Sequence, residues 1–238
     1  MSSRYNDCNR RSLPFGPGLS PALGEYRYLL ERGYPERGSI QLVGDRHRLS
    51  GEQRAILYRG ASARSCAEAR RDKIVPVSEI AGTVYIDGYN IIYTVCNFRL
   101  GRPVFISDDG VVRDAGQAHK RVTRTSLFEE ASLALCAALS ERELSAQVYL
   151  DRPVSGSARD SELINRLARE SGSELACEIV PSADRALSAH SGLPVASSDS
   201  AVIDAHVGPV VDLARLILES RYDAQLVDLS TIDQCHRG

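Results

Sequence analysis

Four short apolar runs in the second half of this chain lead into an aspartate. Val84-Tyr85-Ile86 meets Asp87, and Val148-Tyr149-Leu150 meets Asp151. Ile179-Val180 is followed by Pro181-Ser182-Ala183 and then Asp184, while Val195-Ala196 is followed by Ser197-Ser198 and then Asp199. Asp204 comes five residues later. If the runs are parallel strands of one open sheet, their C-terminal ends share the edge where α/β sheets bind ligands. Carboxylates gathered there repel one another and call for a cation. A hard divalent ion that takes oxygen ligands and water, Mg²⁺ or Mn²⁺, suits them. Such an ion stabilises charge on a phosphoryl oxygen and lowers the pKa of an attacking water, so the chemistry implied is metal-assisted phosphodiester hydrolysis. Taken one at a time, an Asp after a strand more often caps a helix or forms a turn, as Asp151 and Asp184 could. Asp108-Asp109-Gly110 reads as a plain hairpin turn. Asp87 stands apart because Gly88 would let a ligand approach the backbone.

The elements that must carry these residues follow from periodicity. Beyond residue 80 the sequence predicts strands at 83–87, 147–151, 175–180, 194–197 and 225–228, separated by helices at about 126–142, 159–171, 184–190 and 209–220. Short apolar strands alternating with amphipathic helices mean an α/β domain, with a mostly parallel central sheet covered on both faces. A hairpin insertion at about 99–125 interrupts it. Before it, helices are expected from Pro21 to Gly33, over Ile40 to Val43, from a Ser50/Gln53 capping box to Gly60, and from Ser65 to Lys73. The expected organisation is a flexible arm at 1–20, a small all-α module at 21–78 with a linker from Pro76, and the α/β domain at 79–238.

The 238 residues suffice for a proper core. No apolar run reaches bilayer length and the N-terminus is polar and basic, so the expectation is a cytoplasmic protein with no membrane association. Six cysteines without a C-x-x-C pair argue against structural zinc, and Cys96 and Cys136 lie in apolar runs as inert buried thiols. Residues 1–80 hold 14 Lys/Arg against 9 Asp/Glu, and the remainder 15 against 22. A basic front and an acidic back suit a polyanion-binding module beside a carboxylate site. Arg46 and Arg48 in the helical module, and Lys120, Arg121 and Arg124 after the hairpin, are the candidate phosphate contacts; for any one of them a surface ion pair is the better expectation.

At Ile86-Asp87-Gly88-Tyr89-Asn90, Ala183-Asp184 and Ser197-Ser198-Asp199 the chain resembles the NYN branch of the PIN-like ribonucleases, over about residues 82–207. The resemblance implies a PIN-like three-layer fold and a Mg²⁺- or Mn²⁺-dependent endoribonuclease acting on RNA. It implies Asp87, Asp184 and Asp199 as catalytic metal ligands, with Asp151 and Asp204 as additional acids and Gly88, Asn90 and Ser198 in support. Ile203 stands where the family has a further polar residue. A homodimer is compatible with such a domain. The segments Tyr28-Leu29-Leu30-x-Arg32-Gly33-Tyr34-Pro35 and Leu42-Val43-Gly44-Asp45-Arg46 resemble an uncharacterised prokaryotic domain of unknown function.

Other readings fare worse. A haloacid-dehalogenase-type phosphatase needs a second Asp where Tyr89 stands, and neither a nucleotide-binding glycine loop nor a G-x-S-x-G elbow occurs. The serious alternative is a non-catalytic RNA-binding or scaffold protein that retains a PIN-like shell.

Overall fold

A computed structural model describes residues 15–16, 18–116 and 126–232. In chain order the elements are α1 (Leu19–Glu31), α2 (Glu36–Arg46), α3 (Gly51–Gly60), α4 (Arg64–Arg71), a 3-10 turn (Val77–Glu79), β1 (Thr83–Asp87), α5 (Gly88–Arg99), β2 (Val104–Ile106) and β3 (Val112–Asp114). They continue with α6 (Ser126–Ser140), β4 (Ser145–Asp151), α7 (Ser157–Ser171), β5 (Leu175–Val180), α8 (Ala183–Ser188), β6 (Val195–Ala196), α9 (Ser200–Ala205), α10 (Leu213–Tyr222), β7 (Val227–Asp228) and α11 (Leu229–Ile232). The chain forms two compact units. The first draws on residues up to 71, on 97–116 and on 225–232; the second on 72–96 and 126–224.

The second unit is α/β. Its sheet has the order β5-β4-β1-β6, and every pairing is parallel. The chain leaves β1 for β4 and β5 on one side, then returns to β6 on the other. This reversal puts a topological switch point at the C-terminal ends of β1 and β6, where open sheets leave a crevice. Val84, Ile86, Val148 and Leu150 are fully buried, as strands covered by helices require. Val210 bridges both Val195 and Ile74, so residues just ahead of the expected linker continue the sheet edge.

The first unit departs from the expected all-α module. The helices of 18–71 form as predicted, including the reciprocal Ser50/Gln53 capping box, but they do not close a core by themselves. Leu19, Leu23, Tyr26, Ile56 and Leu57 pack with Phe105, Ala115 and Leu229. A Cβ on Gly60 would lie 2.3 Å from Leu229 and 2.7 Å from Phe105, so that helix end needs glycine to admit them. The 225–228 strand, expected in the parallel sheet, pairs instead with β2, giving a small sheet of order β3-β2-β7. With α2 and α3 largely polar, the helical stretch has too little apolar surface to bury without the hairpin and the C-terminal segment.

The hairpin turn is also more than a turn. Asp109 is fully buried and bonded to Arg113 Nη2 at 2.7 Å, Arg70 Nη1 at 3.4 Å and Ser107 Oγ at 2.7 Å. Asp108 accepts from Arg27 Nε at 2.9 Å and from the Ser62 backbone N–H at 3.2 Å, and its carbonyl accepts from Arg71. Arg27 and Arg70 of the basic residues in 1–80 therefore answer acids of the same unit.

Candidate active site

β1 delivers Asp87 at its last position, in register with Tyr149 of β4. Alternation along the strands sets Tyr85 and Asp87 on one face with Gln147, Tyr149 and Asp151. Asp87 is 6% exposed. Its Oδ1 accepts the Asn90 backbone N–H at 3.2 Å, and its Oδ2 accepts from Ser197 Oγ at 3.4 Å. Burial raises its pKa to about 7; the Asn90 N–H opposes the rise, and the charges of Asp151, Asp184 and Asp199 add to it. Four carboxylates from β1, β4, α8 and the β6–α9 junction thus share one electrostatic neighbourhood.

Each of the other three is placed by a local rule. Asp151 Oδ1 accepts the Ala183 N–H at 2.8 Å, so the end of β4 holds the start of α8. Ser182 caps α8 through the Arg185 N–H, which leaves the exposed Asp184 in the first turn with no hydrogen-bond partner among the described residues. Its pKa is raised by partial desolvation and by Asp199 and Asp151. Asp199 is the N-cap of α9, accepting the Ala201 N–H at 2.8 Å, and is also exposed. Asn90 ties the crevice together, since its Oδ1 accepts from both the backbone N–H and the Oγ of Ser198 at 2.7 Å. Ser197 Oγ accepts the Asp199 N–H at 3.1 Å while donating to Asp87.

The set is hard oxygen throughout, which matches Mg²⁺ or Mn²⁺. Among the described residues, however, no three His, Cys, Asp or Glu side chains form a group that could hold a metal ion. Mg²⁺ commonly takes one or two carboxylates and keeps several waters, so the donor chemistry fits while a closed cage is absent.

A domain of unknown function, DUF5616, matches residues 77–216. The chain belongs to this family. A second description, a protein of unknown function, DUF434, matches residues 18–73. An uncharacterized protein of Methanocaldococcus jannaschii is 26% identical over 203 residues, covering 84% of this chain and 97% of the relative. None of these descriptions carries an activity. No solved structure matches.

Several expected site residues take other places in this DUF5616 chain. Asp204 is exposed on α9 and is not among the charges that raise Asp87. Gly88 does not open the backbone to a ligand. A Cβ there would meet Leu150 Cδ2 and Val148 Cγ1 at 2.6 Å and the Tyr149 carbonyl at 3.1 Å, so its role is close packing of α5 on β4. Tyr89 is buried, its hydroxyl donating to Asp160 Oδ2 at 3.0 Å. Arg46 pairs with Glu25 at 3.3 Å, and Arg48 is exposed with a left-handed φ of 51°. Lys120, Arg121 and Arg124 lie outside the described residues, as does most of the 1–20 arm. Cys96 and Cys136 are buried as expected, and no helix among the described residues is long and apolar enough to cross a membrane.

Sequence reasoning missed two features. Lys73 Nζ donates to the carbonyls of Ile203, Asp204 and His206 at 2.7, 3.1 and 2.9 Å, neutralising the C-terminal end of α9. His190 stacks on Tyr85 and bonds to Tyr149. Strand alternation put both tyrosines on the aspartate face, but no sequence signal joined them to His190.

Proposed function

We propose that this chain is a metal-dependent ribonuclease of PIN-like type, hydrolysing RNA phosphodiesters at the C-terminal edge of the β5-β4-β1-β6 sheet. The observation that carries the reading is Asp87, a buried carboxyl raised to about 7 in the field of Asp151, Asp184 and Asp199. A carboxylate so placed gains from a cation and is a candidate functional group on that ground. Asp87, Asp151 and Asp199, each held by a backbone N–H, supply fixed oxygens; the exposed Asp184 supplies movable ones. A bound Mg²⁺ or Mn²⁺ would stabilise charge on the phosphoryl oxygen and favour ionisation of water. Asn90, Ser197 and Ser198 keep the β1 and β6 ends together, and so keep Asp87 and Asp199 at one edge of the sheet.

The test is cleavage of single-stranded and structured RNAs by the purified chain with and without Mn²⁺. Cleavage that needs Mn²⁺ and drops at least about 10²-fold in Asp87→Asn supports the reading. Cleavage that survives Asp87→Asn sinks it. Among the described residues no three-residue metal group forms, which favours a second reading, an RNA-binding protein without catalysis; RNA binding with no cleavage under any divalent ion would select it.

A further inference from the structure

Tyr89 stands between Asp87 and Asn90, and its side chain runs into the core. The buried ring stacks on Tyr93, with centroids 5.2 Å apart and an interplanar angle of 9°. Its hydroxyl donates to Oδ2 of Asp160 at 3.0 Å. Asp160 is itself buried and lies in the first turn of α7. One buried hydrogen bond therefore joins the first turns of α5 and α7, the helices that follow β1 and β4. Space-filling alone does not call for it, since a phenylalanine beside an apolar partner would bury no hydroxyl and no carboxyl. A buried polar pair favours a single arrangement, because a shift of either helix breaks a bond that is costly to leave unmade.

The turn that Tyr89 anchors also carries Asn90. The Asn90 backbone N–H donates to Asp87 Oδ1 at 3.2 Å, so Asp87 caps the helix as well as ending the strand. Asn90 Oδ1 accepts from the N–H and the Oγ of Ser198 at 2.7 Å. Gly88 packs this turn closely on Val148 and Leu150 of β4. A glycine has no side chain with which to set the rotation of a helix about its axis. The Tyr89 hydroxyl, held by α7, supplies that constraint. Asp160 is not among the charges acting on Asp87, so its influence runs through position rather than field.

We propose that Asp160 is a positioning residue for the Asp87 site: through Tyr89 it sets the first turn of α5, and with it the Asp87 carboxylate and the Asn90 link to Ser198. The inference rests on the metal-site reading above and deepens it. Groups that orient a ligand from behind commonly govern metal affinity without touching the ion.

The test compares Tyr89→Phe, Asp160→Ala and Asp160→Asn in the full chain, by Mn²⁺ binding in electron paramagnetic resonance and by amide exchange. The first two break the bond, while Asp160→Asn keeps an oxygen acceptor. Both breaking variants should weaken Mn²⁺ binding about tenfold and speed exchange at Asn90 and Ser198 more than in β4. Asp160→Asn should stay within about threefold of wild type. Leu218→Ala, a buried substitution in α10, is the comparison for a plain loss of stability and should leave Mn²⁺ affinity unchanged. Breaking variants that behave like Leu218→Ala, less stable but with wild-type affinity and no selective exchange, overturn the proposal. A loss in Asp160→Asn as large as in Asp160→Ala overturns the hydrogen bond as its basis. If wild type binds no Mn²⁺, the metal reading fails, and exchange at Asn90 and Ser198 alone decides the positioning. If neither breaking variant folds, wild type in low urea decides. The amides of Asn90, Asp160 and Ser198 exchange through one common opening if the bond couples them, and through separate openings if it does not.

Discussion

Asp87 and Asp109 are both buried, and their surroundings move their protonation in opposite directions. Burial raises the Asp87 pKa to about 7, above an unfolded value of about 3.9, so the folded chain holds this proton more tightly than the unfolded one. The stability it contributes is full below about pH 4 and is lost as pH rises towards 7. In metal-free protein, Asp87→Asn should therefore be the more stable variant at pH 8, by about 2 kcal/mol, with no advantage at pH 4. Urea denaturation at the two pH values reads this, and parallel curves for the two proteins would contradict it. Added Mg²⁺ at pH 8 should raise the midpoint of wild type but not of the variant. For Asp109, burial alone would raise the pKa, but Arg113, Ser107 and the Val111 N–H hold it below the ordinary range. Its contribution is present above about pH 4 and is lost as pH falls through the lowered value. Asp109→Asn removes the buried ion pair between Asp109 and Arg113 and should cost about 3–5 kcal/mol at pH 7. A loss below 1 kcal/mol in chemical denaturation would mean that the pair is replaceable.

Among the elements, β1 and α5 meet with almost no connection, and Gly88 makes that possible. Both Val148 and Leu150 of β4 fill the space where a side chain would stand. Gly88→Ala should destabilise by about 1–3 kcal/mol through overpacking, read as a fall in thermal midpoint. If the glycine instead served ligand approach, stability would be unchanged and only binding would suffer. α9 shows a similar economy, with Asp199 at its N-cap and the Lys73 ammonium on its final carbonyls. Lys73→Met should loosen α9, appearing as faster amide exchange from Ala201 to His206, while the strands stay protected.

At the scale of the whole molecule, the first unit is assembled from distant stretches of chain. Leu229 and the β7–β2 pairing complete a core begun by α1 and α3. A chain ending at Ala224 should lose amide protection in α1, α2 and α3 while β1, β4 and β5 keep theirs. Equal protection in both proteins would show that the helices close without that segment.

The sequence by itself determined the elements of local origin. The strands at 83–87 and 175–180, the helices with caps, and the aspartates at strand ends were all legible, because period, capping and turn chemistry act over a few residues. The parallel sheet followed from β-α alternation, and with it the shared edge for Asp87, Asp151, Asp184 and Asp199. Only the tertiary structure decided the rest. Asp204, one turn beyond Asp199, could not be told from a ligand until α9 was placed. Gly88 looked like an opening until Val148 and Leu150 were seen to occupy it. Asp108 and Asp109 looked like turn residues because their arginines lie 37 to 81 positions away or across the hairpin. β7 looked like a fifth parallel strand, since an apolar run does not say which edge it joins. Pairings between distant residues depend on where whole elements come to rest, and no local pattern records that.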